Sequence, residues 1–143
     1  MTTFSDKEAF ILKSLSKLSK EELYKEIMNW GKRLTSFKEK WKIEKNRVSG
    51  CQSTLYLYTE FTKERLFFSA YSDALLSSGL AALLLYLYNG EKCETVLISP
   101  PLFFEQCNLG ESLTPGRANG FASLYLRMKQ EALGFLTSKV LNG

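Results

Sequence analysis

Residues 54–71 read TLYLYTEFTKERLFFSAY, and a period of two runs through both halves of that stretch. Leu55, Leu57, Thr59 and Phe61 fall on one side and Thr54, Tyr56, Tyr58 and Glu60 on the other, the alternation of a strand with one apolar face. Thr62, Lys63 and Glu64 make a polar break, after which Leu66, Phe68 and Ala70 alternate with Phe67, Ser69 and Tyr71. Two such runs across so short a turn predict an antiparallel hairpin. The period then changes. Leu75, Leu80, Leu83, Leu84 and Leu87 belong to a segment that is apolar almost all round, opened by Ser72 or Asp73 as cap and closed by Asn89-Gly90. That pattern predicts a central buried helix.

Working outward toward the N-terminus, Ser19 and Glu22 form a capping box ahead of Leu23, Ile27, Trp30 and Leu34, which predicts a helix over 20–34. Phe10, Ile11, Leu15 and Leu18 predict a shorter helix before it. Residues 35–49 are charged and poorly periodic, and read as a loop with at most a turn of helix. Toward the C-terminus, 95–98 fits a short strand or a helical turn, Pro100-Pro101 ends it, and 102–107 fits another brief helix. Thr114 as cap and Pro115 at the first helical position then open a last helix, with Phe121, Leu124, Tyr125, Met128, Ala132 and Phe135 on one face. These elements predict a compact α+β fold, one domain over 1–143, the size at which 45% hydrophobic residues fill one core.

The composition excludes more than it suggests. A chain with no histidine has no Cys-His or Ser-His nucleophile pair and no histidine-liganded metal. Nineteen Lys and Arg against 15 Asp and Glu give a net charge of +4, too mild for a nucleic-acid binder. Lys38, Lys40, Lys42, Lys45 and Arg47 are interrupted by Glu39 and Glu44 and read as a solvated face or loop, with a weak anion or protein contact as the alternative. The apolar run 79–88 is too short to cross a bilayer, so no membrane span is expected. The first ten residues lack the pattern of a signal peptide, and three cysteines with no regular spacing do not make a secreted disulfide framework. The expectation is a cytoplasmic protein with reduced thiols.

Each cysteine has the alternative of being a small buried hydrophobe. Cys107, among Leu102, Phe103, Phe104 and Leu109, reads as core; Cys93, between Lys92 and Glu94, reads as partly exposed in a charged turn. Cys51 follows Gly50, precedes Gln52 and Ser53, and lies where a polar loop feeds the first strand, a place that presents side chains. Gly50 lacks a side chain and lets another surface approach the thiol.

Beyond these local readings, the segment Val48-Ser49-Gly50-Cys51-Gln52-Ser53, the strand Leu55-Tyr56-Leu57, Ser72-Asp73, Gly79-Leu80 and the run from Leu113-Thr114-Pro115-Gly116 through Arg117-Ala118-Asn119-Gly120 occur in an order and spacing that resembles the SufE family. Trp30 and Arg33 add to the resemblance, which covers most of the chain. Tyr56 stands where the family usually has Trp, and the Lys-rich stretch 38–45 replaces the family's Leu-Pro-rich one. The resemblance implies a three-stranded antiparallel sheet flanked by helices, similar to scaffold proteins of the IscU kind. It also implies that Cys51 accepts a persulfide sulfur from a cysteine desulfurase of the SufS type, stimulates that enzyme, and delivers the sulfur to a cluster-assembly scaffold of the SufBCD type. No cofactor is expected on this chain, the pyridoxal phosphate residing on the desulfurase, and the role is that of a transfer accessory rather than a stand-alone enzyme.

Sulfur transfer of this sort needs a thiolate and no internal base. A cation near Cys51 would raise the thiolate fraction. Arg117 is the candidate, with a solvent-facing first-turn Arg as the alternative; Arg47 reads as a surface contact. Asp73 reads as a helix cap first and a neighbour of the cysteine loop second, and Asn119 as a hydrogen-bonding support of that loop. Two other readings stay open: a regulatory module that binds a desulfurase without carrying sulfur, and a metal or cluster scaffold built on Cys51, Asp73 and Cys107. The second lacks the four cysteine or histidine ligands such sites want.

Overall fold

The computed structural model describes residues 2–142, and side chains through 139. Helix α1 (Phe4–Leu15) and helix α2 (Lys20–Gly31) form an antiparallel pair, each opened by a reciprocal capping box, Thr3 with Asp6 and Ser19 with Glu22. The Thr3 box starts the first helix six residues earlier than its apolar residues alone indicate. Strands β1 (Leu55–Thr62) and β2 (Arg65–Ser72) pair antiparallel in register, Leu55 opposite Ser72 and Thr62 opposite Arg65. Lys63 and Glu64 both take positive φ (52° and 68°), so the turn is the two-residue kind whose twist matches the strands, made here without the usual Asn-Gly. Helices α3 (Leu75–Tyr88), α4 (Cys93–Ile98), α5 (Phe103–Gln106), α6 (Leu109–Ser112) and α7 (Pro115–Asn142) complete the chain.

Helix α3 is the centre, as its all-round apolarity predicts. Residues Leu80 through Leu85, Leu87 and Tyr88 are all buried, and α1, α2, α7 and the hairpin's apolar face close around them. Leu55, Leu57, Leu66, Phe68 and Ala70 supply that face. Helices α2 and α3 cross closely at Gly31 and Gly79, where Gly79 lies directly under the Ile27 carbonyl.

The sheet has two strands, not the three that the family resemblance implies. On the β1 edge only Arg47 bridges Tyr56, with Val48 N–H donating to Leu55 O at 2.8 Å, before Gly50 (φ 88°) turns the chain away. On the β2 edge Leu66 and Glu91 exchange one bridge before Lys92 caps α4. Each candidate third strand leaves its edge after a single pair. The segment 95–98, open between strand and helix, is helical, ending α4.

The Lys-rich segment is not merely solvated. Two short 3₁₀ turns, Glu39–Trp41 and Glu44–Asn46, carry Phe37 and Trp41 across the polar face of the hairpin. Trp41 stacks on Tyr58 at 4.1 Å and 7°, Phe37 stacks on Tyr56, and the Lys42 ammonium sits 3.9 Å above the Tyr71 ring. The polar face of the hairpin is therefore covered at its Tyr56, Tyr58 and Tyr71 end, while Glu60 and Phe67 stay exposed.

Candidate functional site

The last helix positions the site. Thr114 caps it, its Oγ1 accepting from Arg117 N–H at 3.3 Å, and Pro115 occupies the first helical position. Gly116 and Gly120 then share a face with Ser123 and Arg127, positions spaced by four, three and four residues. The cysteine loop lies antiparallel along that face. The Gln52 carboxamide rests on Gly116, where any Cβ would collide with it; Cys51 lies over Gly120; Gly50 meets Ser123, whose Oγ would stand 2.5 Å from a Cβ there. Gly50 is thus required twice, by its φ of 88° and by this contact.

Cys51 is half-buried, and its thiol points at the Gly120 carbonyl with Sγ 3.8 Å from the oxygen. A cavity of about 30 Å³ opens beside it, walled by Leu55, Leu80, Ala81, Phe121 and Leu124 and rimmed by Ser53 and Arg117. Ser53 is held by the Ser77 hydroxyl of α3, which donates to its Oγ at 3.1 Å. Burial raises the Cys51 thiol above its ordinary value. Desolvation disfavours the thiolate, so Cys51 rests in this structure as a neutral, sheltered thiol.

Of the residues singled out from the sequence, the structure brings Gly50, Cys51, Gln52, Ser53 and Arg117 together. Arg117 reaches the cavity rim, and its Nε is buried without a partner among the described residues. It does not, however, lower the thiol as a close cation would. Asp73 is not a helix cap: Ala74 is the N-cap of α3, and its N–H donates to Ser72 Oγ at 3.3 Å rather than to Asp73. Instead Asp73 Oδ1 accepts from Thr54 N–H at 3.1 Å and Asp73 N–H faces Thr54 O at 3.4 Å, which pins the downstream end of the loop. Asn119 is exposed, on the face of α7 turned from the loop, and makes no hydrogen bond to it among the described residues. The support assigned to Asn119 comes from Gly116, Gly120 and Ser123 instead, a small-residue stripe that helical spacing within the Pro115 helix does display.

The other two cysteines exchange their expected places. Cys93, the first residue of α4, is buried at 2% exposure because Cys93 and Val96 face the core from α4. Cys107 is half-buried at the end of α5, where Asn108 turns left-handed (φ 54°). No three of the cysteine, aspartate and glutamate side chains among the described residues gather as a metal ligand set, so Cys51, Asp73 and Cys107 do not form one.

Comparison with known proteins is consistent with this arrangement. The SufE family profile, described as an Fe-S metabolism associated domain, matches residues 9–132. A SufE-like protein of Synechocystis is 36% identical over 78% of this chain and 70% of its own length. The cysteine desulfuration protein SufE of Wigglesworthia glossinidia brevipalpis is 33% identical over 92% of this chain and 93% of its own. The solution structure of a hypothetical protein from Thermus thermophilus superposes with a TM-score of 0.76, covering 92% of this chain and 96% of that one at 24% identity, a likeness of fold. With the profile spanning most of the chain and a relative matched nearly end to end, the chain belongs to the SufE family of Fe-S metabolism associated domains.

Proposed function

We propose that this chain is a sulfur acceptor in cysteine desulfuration: Cys51 takes persulfide sulfur from a cysteine desulfurase of the SufS type and passes it to a cluster-assembly scaffold of the SufBCD type. The observation that carries this reading is a half-buried thiol at the tip of a loop laid over glycines, with no base beside it among the described residues. In the first step the Cys51 thiolate attacks the terminal sulfur of the partner's persulfide. A new sulfur–sulfur bond forms at Cys51 Sγ, the partner's own sulfur–sulfur bond breaks, and the partner cysteine leaves as thiolate, so charge and electrons balance. Pyridoxal phosphate on the desulfurase supplies the chemistry that frees sulfur from cysteine.

The chain's own residues shelter and present. The cavity beside Cys51 is about 30 Å³, above the roughly 10–15 Å³ that admits one water. That is room for one added sulfur, shielded by Leu55, Leu80 and Phe121 from stray thiols. Transfer then requires the loop to lift so that Cys51 meets the donor, and leaving the apolar cavity restores the thiolate that burial suppresses. Incubation with cysteine and the desulfurase, without reductant, should add one sulfur to the Cys51 peptide in mass spectra, and Cys51→Ser should abolish it. A Cys51→Ser protein that still stimulates the desulfurase fully would shift the reading to regulation without transfer.

A further inference from the structure

The stripe on α7 continues past the cysteine. One turn beyond Ser123, the Arg127 guanidinium donates through Nη1 to the Arg47 carbonyl at 3.0 Å and through Nη2 to the Lys45 carbonyl. Its Nε lies 3.7 Å from Glu131, and Glu131 in turn accepts from the Thr59 hydroxyl on β1 at 3.4 Å. Arg127 and Glu131 are both shielded, with side chains 23% and 31% exposed. The order along the helix thus mirrors the order along the loop: Gly116 under Gln52, Gly120 under Cys51, Ser123 under Gly50, Arg127 under Arg47 and Lys45.

The two ends of this register differ in kind. Over 50–52 the helix offers only small residues and one weak thiol contact. At 45–47 it offers a planar fork that holds two backbone carbonyls at once, a geometry Lys cannot reproduce. The Lys45 and Arg47 carbonyls take no backbone donor among the described residues, so the fork supplies one. A loop free along its tip and fixed at its stem moves as a flap about the stem, and the stem decides where the tip goes.

The geometry points to Arg127 as a positioning residue that sets the upstream hinge of the Cys51 loop, confining its outward movement to residues 49–52 and keeping the thiol sheltered until a partner engages it. Its purpose rests on the acceptor reading above; its geometry does not. Arg127 acts only through the backbone of 45–47 and touches no reacting atom.

The test uses the full chain alone and measures iodoacetamide alkylation of Cys51, Cys93 and Cys107 separately, by peptide mass spectrometry, beside the melting temperature. Losing a charge-assisted hydrogen bond should raise the Cys51 rate about tenfold in Arg127→Ala. Cys93, buried in the core, and Cys107, remote from α7's stripe, should keep their rates. Arg127→Lys, which retains the charge and one contact, should fall between. Global loosening would instead speed all three cysteines together, and that result, or an unchanged Cys51 rate in both folded variants, would overturn the assignment. Because alkylation needs no desulfurase, failure of sulfur transfer to the unsubstituted chain would sink the acceptor reading while leaving this result standing.

Discussion

Two places in the molecule use glycine to bring chain segments closer than side chains allow, and they do so against different kinds of neighbour. At the α2/α3 crossing, Gly79 lies under the backbone carbonyl of Ile27, and Gly31 meets the Gly79 amide and Ser78 in return. On α7, Gly116 lies under the far end of the Gln52 side chain, closer than a Cβ allows, while a Cβ at Gly120 would only touch the Cys51 sulfur, at 3.6 Å. A backbone inside a core has nowhere to retreat, whereas a carboxamide or a thiol on a loop can lift away. The first contact fixes the fold, and the second holds a part that the proposed acceptor role requires to leave. Glycine alone therefore does not mark a site; what it faces does.

The largest test of this contrast is Gly79→Ala. The added methyl meets backbone, and overpacking of this sort should cost about 3 kcal/mol and several degrees in melting temperature, read by thermal unfolding. Next is Gly50→Ala, where a positive φ and the Ser123 hydroxyl both object; a loss of about 1–3 kcal/mol is expected, with the Cys51 loop displaced and sulfur acceptance in the desulfurase assay reduced. Gly116→Ala should separate stability from site. Its Cβ meets only a movable side-chain end, and a helix gains up to about 1 kcal/mol from the exchange, so melting should hold or rise while Gln52 is expelled and Cys51 alkylates faster. A melting loss as large as that of Gly79→Ala would erase the distinction between the two regions. The smallest effect is in pH. Because burial holds the Cys51 thiol above the ordinary value of about 8.5, its alkylation rate in the unbound chain should keep climbing beyond that pH, where free cysteine levels off. The sign for stability follows: the folded state favours the neutral thiol, so this contribution is intact below the unfolded value and lost as pH rises through the folded one.

How legible was all this in the residues? The hairpin, the buried helix and the Thr114–Pro115 start of α7 follow from period and capping, because each is a local pattern that tertiary contacts reinforce. The two-stranded sheet does not, since whether residues 47–48 or 91 extend an edge depends on where Gly50 and Lys92 turn the chain, a matter of one pair. Cys51 stood out by context, and Gly50, Gln52, Ser53 and Arg117 do gather around it; the roles given to Asp73 and Asn119 differ where sequence adjacency stood in for space. Asp73 beside Ser72 resembles a cap, yet its carboxylate accepts from Thr54 N–H just ahead of β1, the loop-neighbour role, while Ala74 N–H goes to Ser72 Oγ. Asn119 lies one residue from Gly120, and on a helix one residue is 100° away, enough to face solvent. Arg127, eighty residues from Arg47 in the chain, carries no sequence signal at all for its contact with the loop stem. The aromatic cover of Phe37 and Trp41 was hidden by the lysines between them, although their spacing of four is that of neighbours on a helical turn.

That narrow sheet has one more implication. A pair of strands with open flanks is a template on which a second molecule can lay its own backbone, and two-stranded ribbons are the most vulnerable. Here the β1 flank is stoppered by Arg47 and Val48 and the β2 flank by Gly90 and Glu91, each with one or two backbone hydrogen bonds. The same residues that stop a third strand from forming also occupy the pairing positions beside Tyr56 and Leu66, so a stranger's strand cannot lie flush along the whole of either edge.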